Sequence, residues 1–224
     1  VQCTLATVDE NTKMVFICSP GNPTAKVIPN SEIAKVCDGF KAGLVIVDEA
    51  YIDFAATESA TSLLSKYPNI VVLHTLSKAF GLAAIRLGMA VASEPIIQLM
   101  NNVKAPYNIN KLSAQVALDV FKNRLPALQA QVEEVIAQRI HLSNALRALS
   151  IVKKVHPSDA NFVLFKVPKA IEIYRTLADR GIVVRFRGTE LHCEDCIRIT
   201  VGTQAENAAF LKMFVAVANE LGVV

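Results

Sequence analysis

Short, mostly apolar, β-branched runs, each stopping on polar residues, recur through the first half of the chain. This pattern restricts the fold more than any other feature. The runs occupy residues 14–18, 43–47, 69–73 and 86–92 and are separated by stretches of helical spacing or dense turn signals. Strands that are apolar on both faces belong in a parallel sheet covered by helices on each side, so the expected class is α/β. The first run stops at Ser19-Pro20-Gly21-Asn22-Pro23, a turn signal, and Ser31 is placed to cap a helix through Cys37. The second run ends in Asp48-Glu49, and the third leads into His74-Thr75-Leu76-Ser77-Lys78. Ligands of such sheets sit beyond the carboxyl ends of the strands, where these polar residues collect.

From residue 110 the texture changes. Helices are expected over residues 94–103, 111–123 and 125–149, the last carrying Leu128, Val132, Val135, Leu142, Leu146 and Leu149 on one face for packing against a core. Strands at 151–155 and 161–167, a helix at 170–180, strands at 182–186 and 196–201 and a helix at 204–221 then describe a compact α+β unit with a mostly antiparallel sheet. The boundary is expected near residue 125, giving a larger domain over 1–124 and a smaller one over 125–224.

Composition narrows the function classes. At 52% hydrophobic and 19% charged residues, the 224-residue chain has ample apolar surface for a core, which excludes a disordered protein. With 23 basic against 20 acidic residues and no basic run, nucleic acid and anionic membranes are not expected partners. No apolar stretch approaches the ~20 residues of a membrane span. The chain opens without Met and without the basic start of a signal peptide, so a fragment or a processed protein is expected. Five dispersed cysteines suit reduced thiols in a cytoplasmic compartment. Cys193-Glu194-Asp195-Cys196 has CxxC spacing but no second ligand pair for zinc, and it leads into a strand rather than a helix; it reads as a hairpin loop.

The polar residues at the strand ends form one constellation. A lysine near a second cation or in an apolar pocket can act as a nucleophilic amine, and Lys78 lies eight residues before Arg86. Asp48 closes an apolar strand, where a buried carboxylate needs a cationic partner; Glu49 beside it is expected in a structural ion pair. Arg198, between Ile197 and Ile199, is an arginine in an apolar strand and calls for an anion. Arg187, two residues beyond Arg185 and on the same side of a strand, is expected as a solvated edge residue, with a helper to Arg185 as the alternative, and His74, His141 and His156 show no partner pattern.

Five segments carry a resemblance. They are Cys18-Ser19-Pro20-Gly21-Asn22-Pro23-Thr24, Val47-Asp48-Glu49-Ala50-Tyr51-Ile52-Asp53-Phe54, the stretch from Thr75 through Gly81 to Arg86, Ala105-Pro106-Tyr107-Asn108, and Ile197-Arg198-Ile199-Thr200-Val201-Gly202-Thr203. In order and spacing the chain resembles the fold-type I aminotransferases that use pyridoxal 5′-phosphate (PLP). The resemblance implies that Lys78 holds the PLP aldehyde as a Schiff base and then moves the substrate proton, while Asp48 keeps the pyridine nitrogen protonated. It implies that Asn22 and Tyr51 hydrogen-bond the 3′ oxygen, and that Ser77 and Arg86 anchor the phosphate. Arg198 is matched to the grip on the substrate α-carboxylate and Arg185 to a distal substrate phosphate; Asn22 and Tyr107 line the same pocket. For Tyr107 a turn aromatic covering core is the alternative.

The implied activity exchanges the amino group of glutamate with the ketone of an imidazole-bearing phosphate. Aromatic amino-acid transamination and decarboxylation of a phosphorylated amino acid would use nearly the same motifs. A catalytically silent remnant serving as a subunit or interaction module is the reading from another class. The resemblance further implies a homodimer and an N-terminal segment that nothing before Asn11 matches. The sheet is therefore expected to be incomplete, with an uncovered apolar face.

Overall fold

A computed structural model describes residues 1–223. The chain divides into two compact units, Val1–Gly21 with Val27–Gln129, and Asn22–Lys26 with the residues from Ala130 onward.

The first unit is built on a four-stranded sheet of β1 (Met14–Cys18), β2 (Leu44–Asp48), β3 (Ile70–Thr75) and β4 (Gly88–Ala92), in that order. The first three strands are parallel, as the apolar runs imply, but β4 runs antiparallel to β3 with Thr75 opposite Gly88. The link from β3 to β4 holds only a three-residue 3-10 turn, Ala83–Ile85. A parallel return needs a crossover that carries the chain back along the sheet, usually a helix, and this loop has none. Helix α1 (Gln2–Thr7) precedes the sheet and α2 (Asn30–Gly39) joins β1 to β2. Pro29, not Ser31, sits at the N-cap of α2, and Ser31 lies inside its first turn. The Asn30 side chain instead donates to the Glu58 and Ser59 carbonyls.

Ile33, Val36, Phe40, Val45, Val47 and Ile70 form the core between α2 and the sheet. Each such buried side chain contributes roughly 1.5–3 kcal/mol by leaving water. On the edge strand β1 burial alternates, and Met14 and Phe16 are 54% and 66% exposed on the outward face. Helices α3 (Glu94–Val103) and α4 (Lys111–Asn123) follow, the latter capped by Asn110, whose Oδ1 accepts the Ser113 N–H at 2.8 Å.

The second unit is an antiparallel sheet in the order β5 (Lys154–Val155), β6 (Phe162–Lys166), β8 (Cys196–Thr200), β7 (Arg185–Phe186). It carries α6 (Ala170–Asp179), α7 (Gln204–Glu220) and the larger part of α5 (Leu125–Arg147). Val163, Phe165, Ile197 and Ile199 alternate onto the core face, where Leu142 and Leu146 of α5 and Phe214 of α7 meet them. The expected stripe on α5 thus packs at Leu142 and Leu146, with Val135 partly buried against the same core; the helix ends at Arg147, short of the expected 149, so Leu149 meets that core from the turn beyond it. A capping box starts α7: Thr203 Oγ1 accepts the Glu206 N–H, and the Glu206 carboxylate accepts the Thr203 N–H. No helix among the described residues is long and apolar enough to cross a membrane.

Candidate active site

In the first unit the topology gathers the polar strand ends. Cys18, Asp48 and Leu73 are level across the three parallel strands, so the chain segments after them leave at the same end of the sheet. Because β4 runs antiparallel, its start lies at that end too, and Arg86 comes two residues before it. Asp48 is half-buried; its Oδ1 accepts the Ala50 N–H at 3.0 Å, which fixes the turn out of β2. Asp48 makes no ion pair among the described residues, and its charge, after burial, helps push the Cys18 thiol up. Tyr51 follows on that turn. The Lys78 ammonium lies 5.5 Å from the centre of the Tyr51 ring, within cation–π range.

The loop that presents Lys78 is held from below. Leu76 is fully buried, its N–H donates to the Leu87 carbonyl at 3.3 Å, and its carbonyl accepts the Leu82 N–H at 3.0 Å. A turn from Lys78 to Gly81 closes with a 3.0 Å hydrogen bond, and Gly81 takes the left-handed φ of 65° that a side chain would resist. Phe80 packs against Phe121 at 5.4 Å and edge-on to His74 at 6.1 Å. Thr75 Oγ1 accepts the Ser77 N–H at 3.1 Å, so this hydroxyl caps the strand end. Lys78 and Arg86 are exposed; Arg86 has φ 55° and donates to the Ala83 carbonyl at 3.0 Å.

Two polar pairs brace this end. Glu49 is 3% exposed and is not in the ion pair its sequence position suggested: Ser59 Oγ and the Ala60 N–H donate to its two oxygens, each at 2.6 Å. A hydroxyl and a backbone donor supply the stabilisation that a counter-ion would. His74 Nε2 lies 3.0 Å from Asp53 Oδ2. Its pKa is raised above 6.5 by the hydrogen bond to Asp53, against the opposing effect of burial, with the Asp53 and Glu49 charges adding to the rise. No spacing rule announces this pair, because its members are 21 residues apart on a 3-10 turn and a strand.

The second unit holds the arginines. Arg185 and Arg198 are directly opposed across β7 and β8, so their side chains share the face turned away from the helices. The Arg198 guanidinium lies 4.8 Å over the Phe162 ring, and its Nη1 donates to Asn22 Oδ1 at 2.7 Å. Arg187 Nη2 reaches the same oxygen at 3.3 Å, and Arg187 Nη1 pairs with Glu190 at 2.7 Å. Arg187 is thus no solvated edge residue: its side chain is only 24% exposed, tied down by Glu190, whereas Arg185 is exposed. The two-residue spacing from Arg185 was the available signal, since it places both arginines on one side of an extended chain. Tyr107 is 97% exposed and has a left-handed φ of 56°, so it covers no core.

These strand ends, the lysine loop and the arginine-bearing sheet define a class. The chain belongs to the aminotransferase class I and II family, which matches residues 1–214. That family is PLP-dependent. Among its relatives, the histidinol-phosphate aminotransferase of Flavobacterium johnsoniae is 45% identical over 95% of this chain and 60% of its own length. The enzyme of the same name from Bacteroides fragilis is 48% identical over 92% of this chain and 59% of its own. The structure of histidinol-phosphate aminotransferase from Sinorhizobium meliloti in complex with pyridoxal-5′-phosphate superimposes with a TM-score of 0.85 at 24% identity, covering 95% of this chain and 59% of that one. This chain therefore spans about 60% of the length of the curated relatives it matches.

Proposed function

We propose that this chain carries the PLP-binding and substrate-carboxylate residues of an aminotransferase acting between histidinol phosphate and 2-oxoglutarate, in histidine biosynthesis. The observation that carries the reading is the strand-end arrangement of the first unit. A half-buried Asp48 carboxylate with no ionic partner among the described residues shares one end of the sheet with an exposed Lys78 amine held over Tyr51. The residues present suit the cofactor: a carboxylate without a cation accepts a protonated ring nitrogen, and an accessible amine accepts an aldehyde. When bound, PLP supplies the electron sink for the charge left at the substrate α-carbon.

The chain's own groups divide the rest of the work. Lys78 Nζ holds the cofactor and, once displaced by substrate, takes the proton from the substrate α-carbon as general base. Asp48 keeps positive charge on the ring nitrogen, and Tyr51 and the Asn22 amide N–H donate to the 3′ oxygen. Ser77 and Arg86 take the cofactor phosphate, a hydroxyl and a guanidinium suiting a dianion. Arg198 binds the α-carboxylate of the amino acid, oriented by its bond to Asn22 Oδ1, and Arg185 meets the substrate's distal phosphate. Tyr107 enters the reading as an exposed ring available to line the substrate pocket. The enzyme so described works as a cytoplasmic homodimer, a reading supported by the family resemblance for the dimer and by five dispersed, free cysteines for a reducing compartment.

The test is amino transfer by the purified chain with added PLP. Glutamate formation from 2-oxoglutarate is followed with histidinol phosphate or phenylalanine as donor, and carbon dioxide release is followed from phosphothreonine. The reading requires histidinol phosphate to be the preferred donor. Preference for phenylalanine or phosphothreonine reassigns the substrate, and PLP binding without any turnover contradicts the activity of this chain as it stands.

A further inference from the structure

The CxxC segment is not used by the proposed chemistry, and its geometry is specific. Three consecutive turns connect β7 to β8. The Arg187 carbonyl accepts the Glu190 N–H, the Glu190 carbonyl accepts the Cys193 N–H, and the Cys193 carbonyl accepts the Cys196 N–H at 2.9 Å. The Arg187 N–H in turn donates to the Cys196 carbonyl at 2.9 Å and closes the loop. The last turn has Asp195 at φ 58° in its third position, the backbone of a type II turn. Such a turn brings its first and fourth Cα atoms within ~7 Å, overlapping the ~4.4–6.8 Å that a disulfide spans.

The two sulfurs are neighbours in fact. Cys193 and Cys196 pack together against Leu164, 7% and 1% exposed, and both are free thiols. The Cys196 side chain lies within hydrogen-bonding reach of the Cys193 sulfur. No group of three metal-ligating side chains exists among the described residues.

We propose that Cys193 and Cys196 are a reversible dithiol that closes to an intramolecular disulfide by exchange with a small-molecule disulfide. The Cys193 thiolate attacks one sulfur of the small disulfide and expels one thiolate. Cys196, deprotonated, then attacks the Cys193 sulfur and expels the second. Two protein thiols are oxidised to one disulfide, and the reagent is reduced to two thiols, its expelled thiolates taking up the two protons that the protein thiols lose. Cys193 attacks first because it is the less buried of the two; burial and the Glu190 and Glu194 charges push its thiol up, and the Arg187 guanidinium offsets only part of that rise. Burial pushes the Cys196 thiol up to about 11, so closure is slow at neutral pH and accelerates as pH rises. The closed form locks the turn that joins Arg187 to the strand of Arg198, the two arginines that share Asn22 Oδ1.

The experiment equilibrates the whole chain with buffers of glutathione and its disulfide, quenches in acid, alkylates and digests with trypsin. Cleavage after Arg187 and Arg198 isolates residues 188–198, which contain Cys193 and Cys196 and no other cysteine. The proposal predicts a peptide lighter by two hydrogens and refractory to alkylation until reduced. It also predicts a closure constant at least tenfold larger for the folded chain than for the chain in urea, and a closure rate that rises about tenfold from pH 7 to pH 8. A peptide that stays doubly alkylated, one that carries glutathione without an internal link, or a folded chain that closes no better than the unfolded one would each overturn it.

Discussion

Glu49 offers a prediction whose size follows from the structure. Its carboxylate is 3% exposed and takes two 2.6 Å hydrogen bonds, from Ser59 Oγ and the Ala60 N–H. A hydrogen bond to a charged group contributes about 1.5–3 kcal/mol net, and a buried donor left unmet costs about 1–3 kcal/mol. Glu49→Ala removes the acceptor for both donors and should cost about 3–4 kcal/mol. Ser59→Ala removes one bond and leaves the other, for about 2 kcal/mol. Glu49→Gln keeps an acceptor oxygen for one donor and loses the charge, for about 1–2 kcal/mol. For a chain of this size each kcal/mol moves Tm by about 2–4 °C, so the alanine variant should melt about 6–16 °C below the parent. Thermal and urea unfolding of the three variants measures the series. A Glu49→Ala variant within 0.5 kcal/mol of the parent, or a Glu49→Gln variant as unstable as Glu49→Ala, would refute the bracing assigned to this carboxylate.

Asn22→Asp should place a carboxylate between Arg187 and Arg198 and compete with ligand carboxylates for Arg198. At about 1.5–3 kcal/mol for a charge-assisted bond, calorimetry should record roughly 10–100-fold weaker glutarate binding, with little loss of Tm. The His74–Asp53 pair should make stability depend on pH. A histidine whose folded pKa is raised above 6.5 contributes stability that is fully present below 6.5 and lost as pH rises through the folded value. Tm should therefore fall on going from pH 6 to pH 8, and Asp53→Asn should flatten that part of the profile.

Several elements were legible because their apolar period and their flanking signals coincide. In β1, α3 and α4 the apolar pattern ends where the backbone pairing ends, although α3 buries none of its residues. The short strands show why this is not general. Ile151 is 7% exposed and Val184 is 2% exposed, yet neither lies in a strand; the ladder is confined to Lys154–Val155 and Arg185–Phe186. Apolar side chains report burial, and a run can be buried by turns and neighbouring helices without a hydrogen-bonded partner strand. The direction of β4 was equally hidden, since an apolar strand reads the same in either orientation and only the missing crossover distinguishes them. At the candidate site, Lys78, Asp48 and Arg198 stood out because a charged residue at the end or in the middle of an apolar run is costly without a purpose. Arg187, His74 and Glu49 did not, because their partners Asn22, Asp53 and Ser59 are set by the fold; even Ser59, only ten residues from Glu49, lies across a turn that no spacing rule announces.

The account rests on Lys78 as the residue that carries the cofactor. The chain, incubated with PLP, fixed with borohydride and digested, should yield one modified peptide with the added mass on Lys78, and Lys78→Ala should yield none while Asp48→Asn weakens the labelling. Labelling spread over surface lysines, or undiminished in Lys78→Ala, would contradict the central claim.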